Sequence, residues 1–531
     1  MDSKTFIKTG QKAFDDLIPK VQAFLEQDTL ETSIDGEKIR GYRSPDAKSI
    51  WIRDHSDMLR GAKYFETDLK STVSHFASTQ AANGRIFDYF TTFPEKLPCE
   101  RENWTKYVRV PVEADVEFRF IKAAWLAWQA CGDDEWVRGL IPNMERALDY
   151  IFTHPQRVDQ ATGLVKRAYT IDTWDFAYTA GKQPWLHFQI DDDTFWGIFH
   201  GDNSGYYEAL NILATLYDYF GQPDKALWPR QKAKDIIEKV QEICWNGDYL
   251  THFVKLTPFT VPGVDESSQL SMANPMSINR GITTHEMAVS IIQEYQRRKA
   301  TTDSFAEWFS IDPPFPDGVY GDEKLIGGAY INGGIFPLAG AELAKAAFNH
   351  GFEEYGVSIL KQYYNLIAEK NQTFLWYLPD GTPTCVENST SPEAMPTDGW
   401  GSSAMMWALI EGLAGIEDRL KRFEKIGLSP RWLAAGINSA EVGVGYQVSG
   451  IGNPNAGVQY QYKYTSGELT IDVQCDADAD FHVLIGSVDQ VAGVMVNQIE
   501  TVFQTEMIEQ SQYVNFSSKI EGRADVRIKF K

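Results

Sequence analysis

Between Ser49 and Ala62 the chain reads Ser-Ile-Trp-Ile-Arg-Asp-His-Ser-Asp-Met-Leu-Arg-Gly-Ala, which sets Trp51, Arg53, Asp54, His55 and Asp57 within one short stretch. A planar guanidinium beside a carboxylate can hold two vicinal hydroxyls through charge-assisted hydrogen bonds. An indole next to them offers a flat apolar face to the C–H side of a ring. The combination suits a sugar. The plainer alternative is a helix N-terminus at which Asp54 or Ser56 caps and Arg53 makes a structural ion pair.

Cleaving a glycosidic bond takes two carboxyl groups, an acid for the leaving oxygen and a base for water or a nucleophile. The acid belongs in a partly apolar pocket, which raises its pKa. In Tyr169-Thr-Ile-Asp-Thr-Trp-Asp-Phe-Ala-Tyr178, Asp175 sits between the rings of Trp174 and Phe176, a setting that disfavours the ionised form. Its ordinary reading is a cap on a following helix. Asp172, just before it, suits a substrate or supporting ligand better than the acid. Asp191-Asp192-Asp193 are consecutive, whereas a calcium loop spaces its ligands at alternate positions, so no metal is expected there. Asp202 opens a helix expected over 203–220 and has capping as its plain role. The loop before Gly399-Trp400-Gly401-Ser402-Ser403-Ala404 carries Glu387 and Glu393, either of which can serve as a base or be merely solvated. Arg109 and Glu113 support from Tyr107–Asp115, and Trp174 and Trp400 are further substrate-facing rings.

These motifs resemble a known group. Trp51-x-Arg53-Asp54 at the start of an early helix is similar to the sugar-clamp segment of glucoamylases, glycogen-debranching enzymes and related six-hairpin glycosidases. The resemblance implies that Arg53 and Asp54 bind the sugar before the scissile bond, with Trp51 as its platform. Trp174-Asp175-Phe176 resembles the Gly-Trp-Asp-Phe segment of trehalases and their debranching-type relatives and implies Asp175 as general acid, although the Glu-Ser of that motif is Asp172-Thr173 here. The loop at 189–203 is similar to the place where exo-mannosidases of the same architecture keep their acid, which makes Asp202 the rival. Glu387-Asn388, a spacer and then Gly399-Trp400 ahead of Ser403-Ala404 resemble the base loop of processing α-glucosidases and imply Glu387 as base. The Tyr-x-Pro of that loop is missing, so Glu393 stays as its alternative. Over residues 45–418 the resemblance implies an (α/α)6 toroid, exo-acting inverting hydrolysis of an oligosaccharide or glycoside, and no cofactor.

The elements that must carry these residues are mostly helical. Apolar residues recur at helical spacing over 5–27, 56–82, 112–131, 134–153, 203–220, 224–244, 282–299, 302–309, 335–350, 352–369, 400–416 and 417–425. Tight turns such as Cys131-Gly132-Asp133 and Asn349-His350-Gly351 join several into αα-hairpins. The connections between hairpins, at 83–111, 154–202, 245–280, 310–334 and 370–399, are long and rich in Trp, Asp and Gly. Alternating short and long connections predicts a ring of hairpins with its long loops at one mouth. Beyond about 425 the pattern turns to period two, as in Val458-Gln-Tyr-Gln-Tyr462 and Val526-Arg-Ile-Lys-Phe530, which predicts an antiparallel β-sandwich-like domain. The expected division is 1–425 and 426–531.

The totals narrow the function. With 73 acidic and 50 basic residues in 531, a formal charge of −23 argues against a polyanionic nucleic-acid partner. The 15 Trp, 24 Tyr and 30 Phe suit stacking on carbohydrate as well as packing. The 5 cysteines stand singly, which signals neither a disulfide framework nor a zinc site. The N-terminal residues show no apolar signal core, and no apolar run is long enough for a membrane span, so a cytoplasmic location is expected. Gly-x-Gly-x-x-Gly after a strand, P-loop, Gly-x-Ser-x-Gly and His-Glu-x-x-His motifs are absent. The competing classes are a carbohydrate-binding protein without chemistry and a sugar epimerase or polysaccharide lyase on the same barrel.

Overall fold

The computed structural model describes residues 4–34, 36–91, 114–174, 177–182, 190–450 and 456–531, together with the backbone alone of 100–103 and 106–108. After a single helical turn at Lys12–Asp15, the helices are α1 (Leu17–Gln27), α2 (Ile52–Ala62), α3 (Ser71–Ser78), α4 (Val116–Cys131), α5 (Asp134–Thr153), α6 (His200–Tyr219), α7 (Leu227–Cys244), α8 (Ala273–Arg280), α9 (His285–Thr301), α10 (Pro337–Asn349), α11 (Glu353–Ala368) and α12 (Gly399–Trp407). The turn read in the sequence between α4 and α5 is built as its residues dictate. Gly132 takes φ 65, a left-handed conformation that closes α4, and the Asp133 carboxylate accepts the Trp136 N–H at 3.0 Å to open α5.

The even-numbered helices pack on one another in order. α2 lies on α4, α4 on α6, α6 on α8, α8 on α10 and α10 on α12, and α12 returns to α2. Each also packs against an odd-numbered helix on its outer side. The burial patterns follow this layering. From Pro337 to Phe348 every residue of α10 is buried, whereas α5 buries a stripe of Val137, Leu140, Ile141, Met144, Leu148 and Ile151. Close approach requires small residues in the inner layer. A Cβ on Gly205 of α6 would stand 2.4 Å from the Phe118 ring of α4. Gly205→Ala is therefore expected to destabilise the protein by about 1–3 kcal/mol in urea unfolding, against the helix-propensity gain of about 1 kcal/mol that alanine brings in an uncrowded helix.

The C-terminal sheet is large and mainly antiparallel. Its long ribbon pairs Glu468–Ile485 with Ser511–Phe530 along their whole length. The period-two stretches at 469–473 and 481–485 are parts of one strand. The sheet reaches outside 426–531, because Phe6–Lys8 pairs with Ser439–Gly445 and Ile416–Asp418 pairs with Lys425–Leu428. The residues 417–425, expected to be helical, thus contribute strand ends, and the N-terminal segment is stitched to the sheet before α1 begins.

Other differences have local causes. The helix expected over 56–82 breaks into α2 and α3. The Glu66 carboxylate accepts the N–H groups of Thr67 and Asp68 at 2.6 and 3.0 Å, and Asp68 accepts that of Ser71 at 3.0 Å, so side chains end one helix and start the next. Residues 302–309 are not helical, and Phe309 makes a strand-like bridge to Ile335. α8 falls within 245–280, a stretch expected to be a connection. A distant carboxylate, Asp172, accepts the Ala273 N–H at 3.1 Å at its start. Among the described residues no helix is long and apolar enough to cross a membrane.

Candidate functional site

The clamp is positioned by a short strand running directly into a helix. Ile50–Trp51 pairs with Tyr89–Phe90, the Ile52 N–H donates to the Asp88 carbonyl at 2.9 Å, and the Trp51 ring lies 3.9 Å from that of Tyr89. α2 starts at Ile52, which puts Arg53 and Asp54 in its first turn. Arg53 is buried. Its Nε and Nη2 donate to the two Asp115 carboxylate oxygens at 2.7 and 2.8 Å, and Asp115 also accepts from the Thr173 hydroxyl at 3.1 Å. Arg53 thus makes the structural ion pair, with Asp115 holding the guanidinium, and also lines a cavity. Burial alone would raise the Asp115 carboxyl. Arg53 by charge and hydrogen bonds, then Arg119 and Arg167, outweigh it and hold the group far below the usual carboxylate range.

Three further segments reach the same place. Trp174 is fixed by Arg167, whose Nη2 donates to its carbonyl at 2.9 Å, and its own Nε1 donates to the Tyr330 hydroxyl at 2.8 Å. Trp400, in the first turn of α12, stands 5.6 Å from Trp174 and donates from Nε1 to Asp57 Oδ2 at 2.6 Å. Ser44 and Asp46 come from the loop before α2 and Leu375 from the loop before α12. With Trp51, Arg53 and Asp54 these residues line one cavity at the N-terminal ends of the inner helices. Asp57 also accepts from Arg119 Nη1 at 2.6 Å, so a chain of buried charges lies beneath the aromatic walls.

Asp54 faces this cavity with its carboxyl pushed up to about 8. Burial is the largest cause and the neighbouring Asp46 charge the next, while Arg53 and a Ser44 hydrogen bond pull the other way. At neutral pH the group carries a proton and can donate it to a ligand oxygen. The folded chain holds this proton up to about pH 8, whereas an ordinary aspartate releases it near 3.8. The folded state then binds more protons than the unfolded state across that window, so stability falls as pH rises through it. Thermal melts are expected to show the wild type losing ground to Asp54→Asn between those two values, and a constant difference would contradict this reading.

The late loop divides its two candidates. Arg43 Nη2 donates to the Glu393 carboxylate, and the loop is tied to the cavity segment by Met395 N–H to the Pro45 carbonyl at 3.0 Å and Ser391 Oγ to Asp46 Oδ2 at 2.9 Å. Glu387 is exposed, and a hydrogen bond from Cys385 draws its carboxyl down; neither glutamate is among the residues that line the cavity.

Asp202, in the first turn of α6, and Asp172 are not among the residues that line this cavity. Asp202 is buried against Arg167 Nη1 at 3.2 Å. Its burial, opposed by Arg167, raises the carboxyl above the usual range. Asp172, at φ 50, spends its oxygens on the N–H groups of Thr173 and Ala273 at 2.7 and 3.1 Å and is closed off from the cavity, which makes it a structural cap rather than a substrate ligand. Arg109, Glu113 and Asp175 lie outside the described residues. No group of His, Cys, Asp and Glu among the described residues is arranged to hold a metal ion.

The sequence reading missed Ser44, Asp46, Asp115, Tyr330 and Leu375. Tyr330 left one trace, a Gly-rich turn at 330–334, and it adopts φ 48, a strained conformation for a tyrosine. Asp115 closed a segment already singled out for Arg109 and Glu113. Nothing in the residues around Ser44, Asp46 or Leu375 distinguished them.

No family profile and no curated protein sequence matches this chain. Solved structures do. An α-L-rhamnosidase from Dictyoglumus thermophilum superposes with a TM-score of 0.60 at 11% identity, over 99% of this chain and 50% of its own. The Streptomyces avermitilis α-L-rhamnosidase, complexed with L-rhamnose, gives 0.59 at 12% identity over 99% and 42%. A mannosylglycerate hydrolase from Thermus thermophilus, in complex with Tris, gives 0.50 at 13% identity over 74% and 99%. At such identities the likeness is one of fold, and the chain spans about half the length of the rhamnosidases or less.

Proposed function

We propose that this protein is a glycoside hydrolase built on an (α/α)6 toroid, exo-acting and inverting, with its site at the mouth formed by the long loops. The observation that carries the reading is the meeting of Trp51, Arg53 and Asp54 with Trp174 and Trp400 around one cavity, from segments far apart in sequence. The fold shared with two rhamnosidases and a mannosylglycerate hydrolase supports it. In this reading Trp51 and Trp400 stack on a terminal sugar. Arg53, held rigid by Asp115, donates to its hydroxyls, and protonated Asp54 donates to another oxygen. Asp175, next to Trp174, is the general acid. The base comes from the late loop, and Glu393 suits the role better than Glu387 because the residues on either side of it, Ser391 and Met395, are bonded to Asp46 and Pro45 at the cavity wall.

The test is turnover of a panel of aryl glycosides beginning with α-L-rhamnoside, α-mannoside and α-glucoside, with the product anomer followed by NMR. Release of the inverted anomer supports the proposal, as does a carboxyl separation of roughly 6.5–9.5 Å in a saccharide complex, against ~5–5.5 Å for retention. Saccharide binding with no turnover of any glycoside overturns it in favour of a binding protein.

A further inference from the structure

A second cavity, of about 390 Å3, lies among the C-terminal halves of the inner helices, at the other end from the sugar site. Its size falls within the range of small-molecule sites, and its lining is dominated by charged side chains. Most of these are matched. Arg119 and Arg60 bracket Asp57 at 2.6 and 3.3 Å, and Arg60 also donates to Glu342 at 2.5 Å. Lys63 pairs with Glu411 at 3.3 Å and Arg419 with Glu417 at 2.9 Å, while Lys122 binds Glu208. Asp418 is consumed by the N–H groups of Leu420 and Phe423 and by the Tyr446 hydroxyl.

Two cations are left over. Arg280, at the end of α8, donates from Nη1 only to neutral oxygens, the Gly201 carbonyl at 2.9 Å and the Ser204 hydroxyl at 3.1 Å. Lys345 of α10 is buried and reaches only the Asn349 side-chain oxygen at 3.4 Å, with its Nζ 5.6 Å from the Trp407 ring. Neither forms an ion pair with a carboxylate among the described residues. Burial draws the pKa of both groups down, and the Arg119 guanidinium adds to the effect at Arg280. Glu208, Glu342 and Asp57 act on Arg280 from beyond ion-pairing distance, and Glu417 and Glu411 on Lys345; an enclosed cation with no direct ion pair is costly, and two of them lining one cavity form a receptor for negative charge. Lys122 and Arg419 at its rim are partly exposed, so solutes have a way in.

We infer that this cavity binds a small oxyanion, of the phosphate or dicarboxylate class, between Arg280 and Lys345. The inference does not depend on the glycosidase reading, since none of these residues lines the sugar site. Inorganic phosphate and succinate are the probes, titrated against the full chain at constant ionic strength with chloride as the balancing anion, with melting temperature and calorimetry as readouts. A saturable rise in Tm with one probe or both is expected, and the stronger response distinguishes a phosphate from a carboxylate ligand. Lys345→Met and Arg280→Gln should each abolish the rise. Without anion, Lys345→Met should melt at or above the wild-type temperature, because it removes an unpaired buried charge. A flat response to both probes overturns the inference. So does a response retained in both variants, or a Lys345→Met protein that melts well below wild type, which would mean that the ammonium is already satisfied within the chain.

Discussion

Glu393→Gln is expected to lower kcat by about 10²–10⁴, the usual contribution of a general base, and to leave KM little changed, whereas Glu387→Gln should leave kcat essentially where it was. The contrast rests on how the late loop is held. Arg43 orients the Glu393 carboxylate, and the backbone two residues on is bonded to Pro45, next to the cavity-lining Ser44 and Asp46. Glu387 faces solvent. Asp175→Asn should show the matching loss, with saccharide binding retained, because an amide cannot protonate the leaving oxygen. Single-turnover measurements on an activated aryl glycoside separate the two carboxyls further. A good leaving group needs little help from the acid, so Asp175→Asn should recover part of its rate on such a substrate and Glu393→Gln should not. Loss of activity in Glu387→Gln with Glu393→Gln unaffected would assign the base to the other end of the loop.

Arg53→Met carries the largest expected cost in stability. It strands the Asp115 carboxylate in a dry setting with the Thr173 hydroxyl and Arg119, whose Nε is 3.6 Å away. Breaking one partner of a buried pair costs about 3–5 kcal/mol, and the remaining help from Arg119 puts the expectation near the lower end of that range. Urea unfolding measures it. Arg53→Met with Asp115→Leu should recover most of the loss, because the pair is then replaced by apolar surface rather than halved. Sugar binding should stay absent in the double variant, because refilling the core does not restore a donor to the cavity. A stable single variant that binds no saccharide would instead make Arg53 a ligand first and a structural ion second.

Much of the helical framework was legible because it is local. The Cys131-Gly132-Asp133 turn and the apolar stripe of α5 depend on residues a few positions apart, and period-two alternation marked the C-terminal strands. What escaped has non-local causes. α8 looked like loop because the carboxylate at its start lies a hundred residues away, in Asp172. The 417–425 stretch looked helical in isolation, but it forms the turn between two paired strands, Ile416–Asp418 and Lys425–Leu428. Strand Phe6–Lys8 could not be separated from the helix behind it, since its partner, Ser439–Gly445, is at the far end of the chain.

The site divides along the same line. The sequence alone determined that Trp51, Arg53 and Asp54 form one group, because a strand running into a first helical turn presents neighbouring residues together, and that Trp174 and Trp400 belong to loops opening on the same mouth. Only the tertiary structure decided what surrounds each carboxylate. Asp172 and Asp202 are as well placed in sequence as Glu393, yet both are buried, one holding backbone N–H groups and the other Arg167, whereas Glu393 keeps part of its surface open beside its Arg43 partner. A carboxylate's role depends on what surrounds its oxygens, and those surroundings come from segments that only folding brings near.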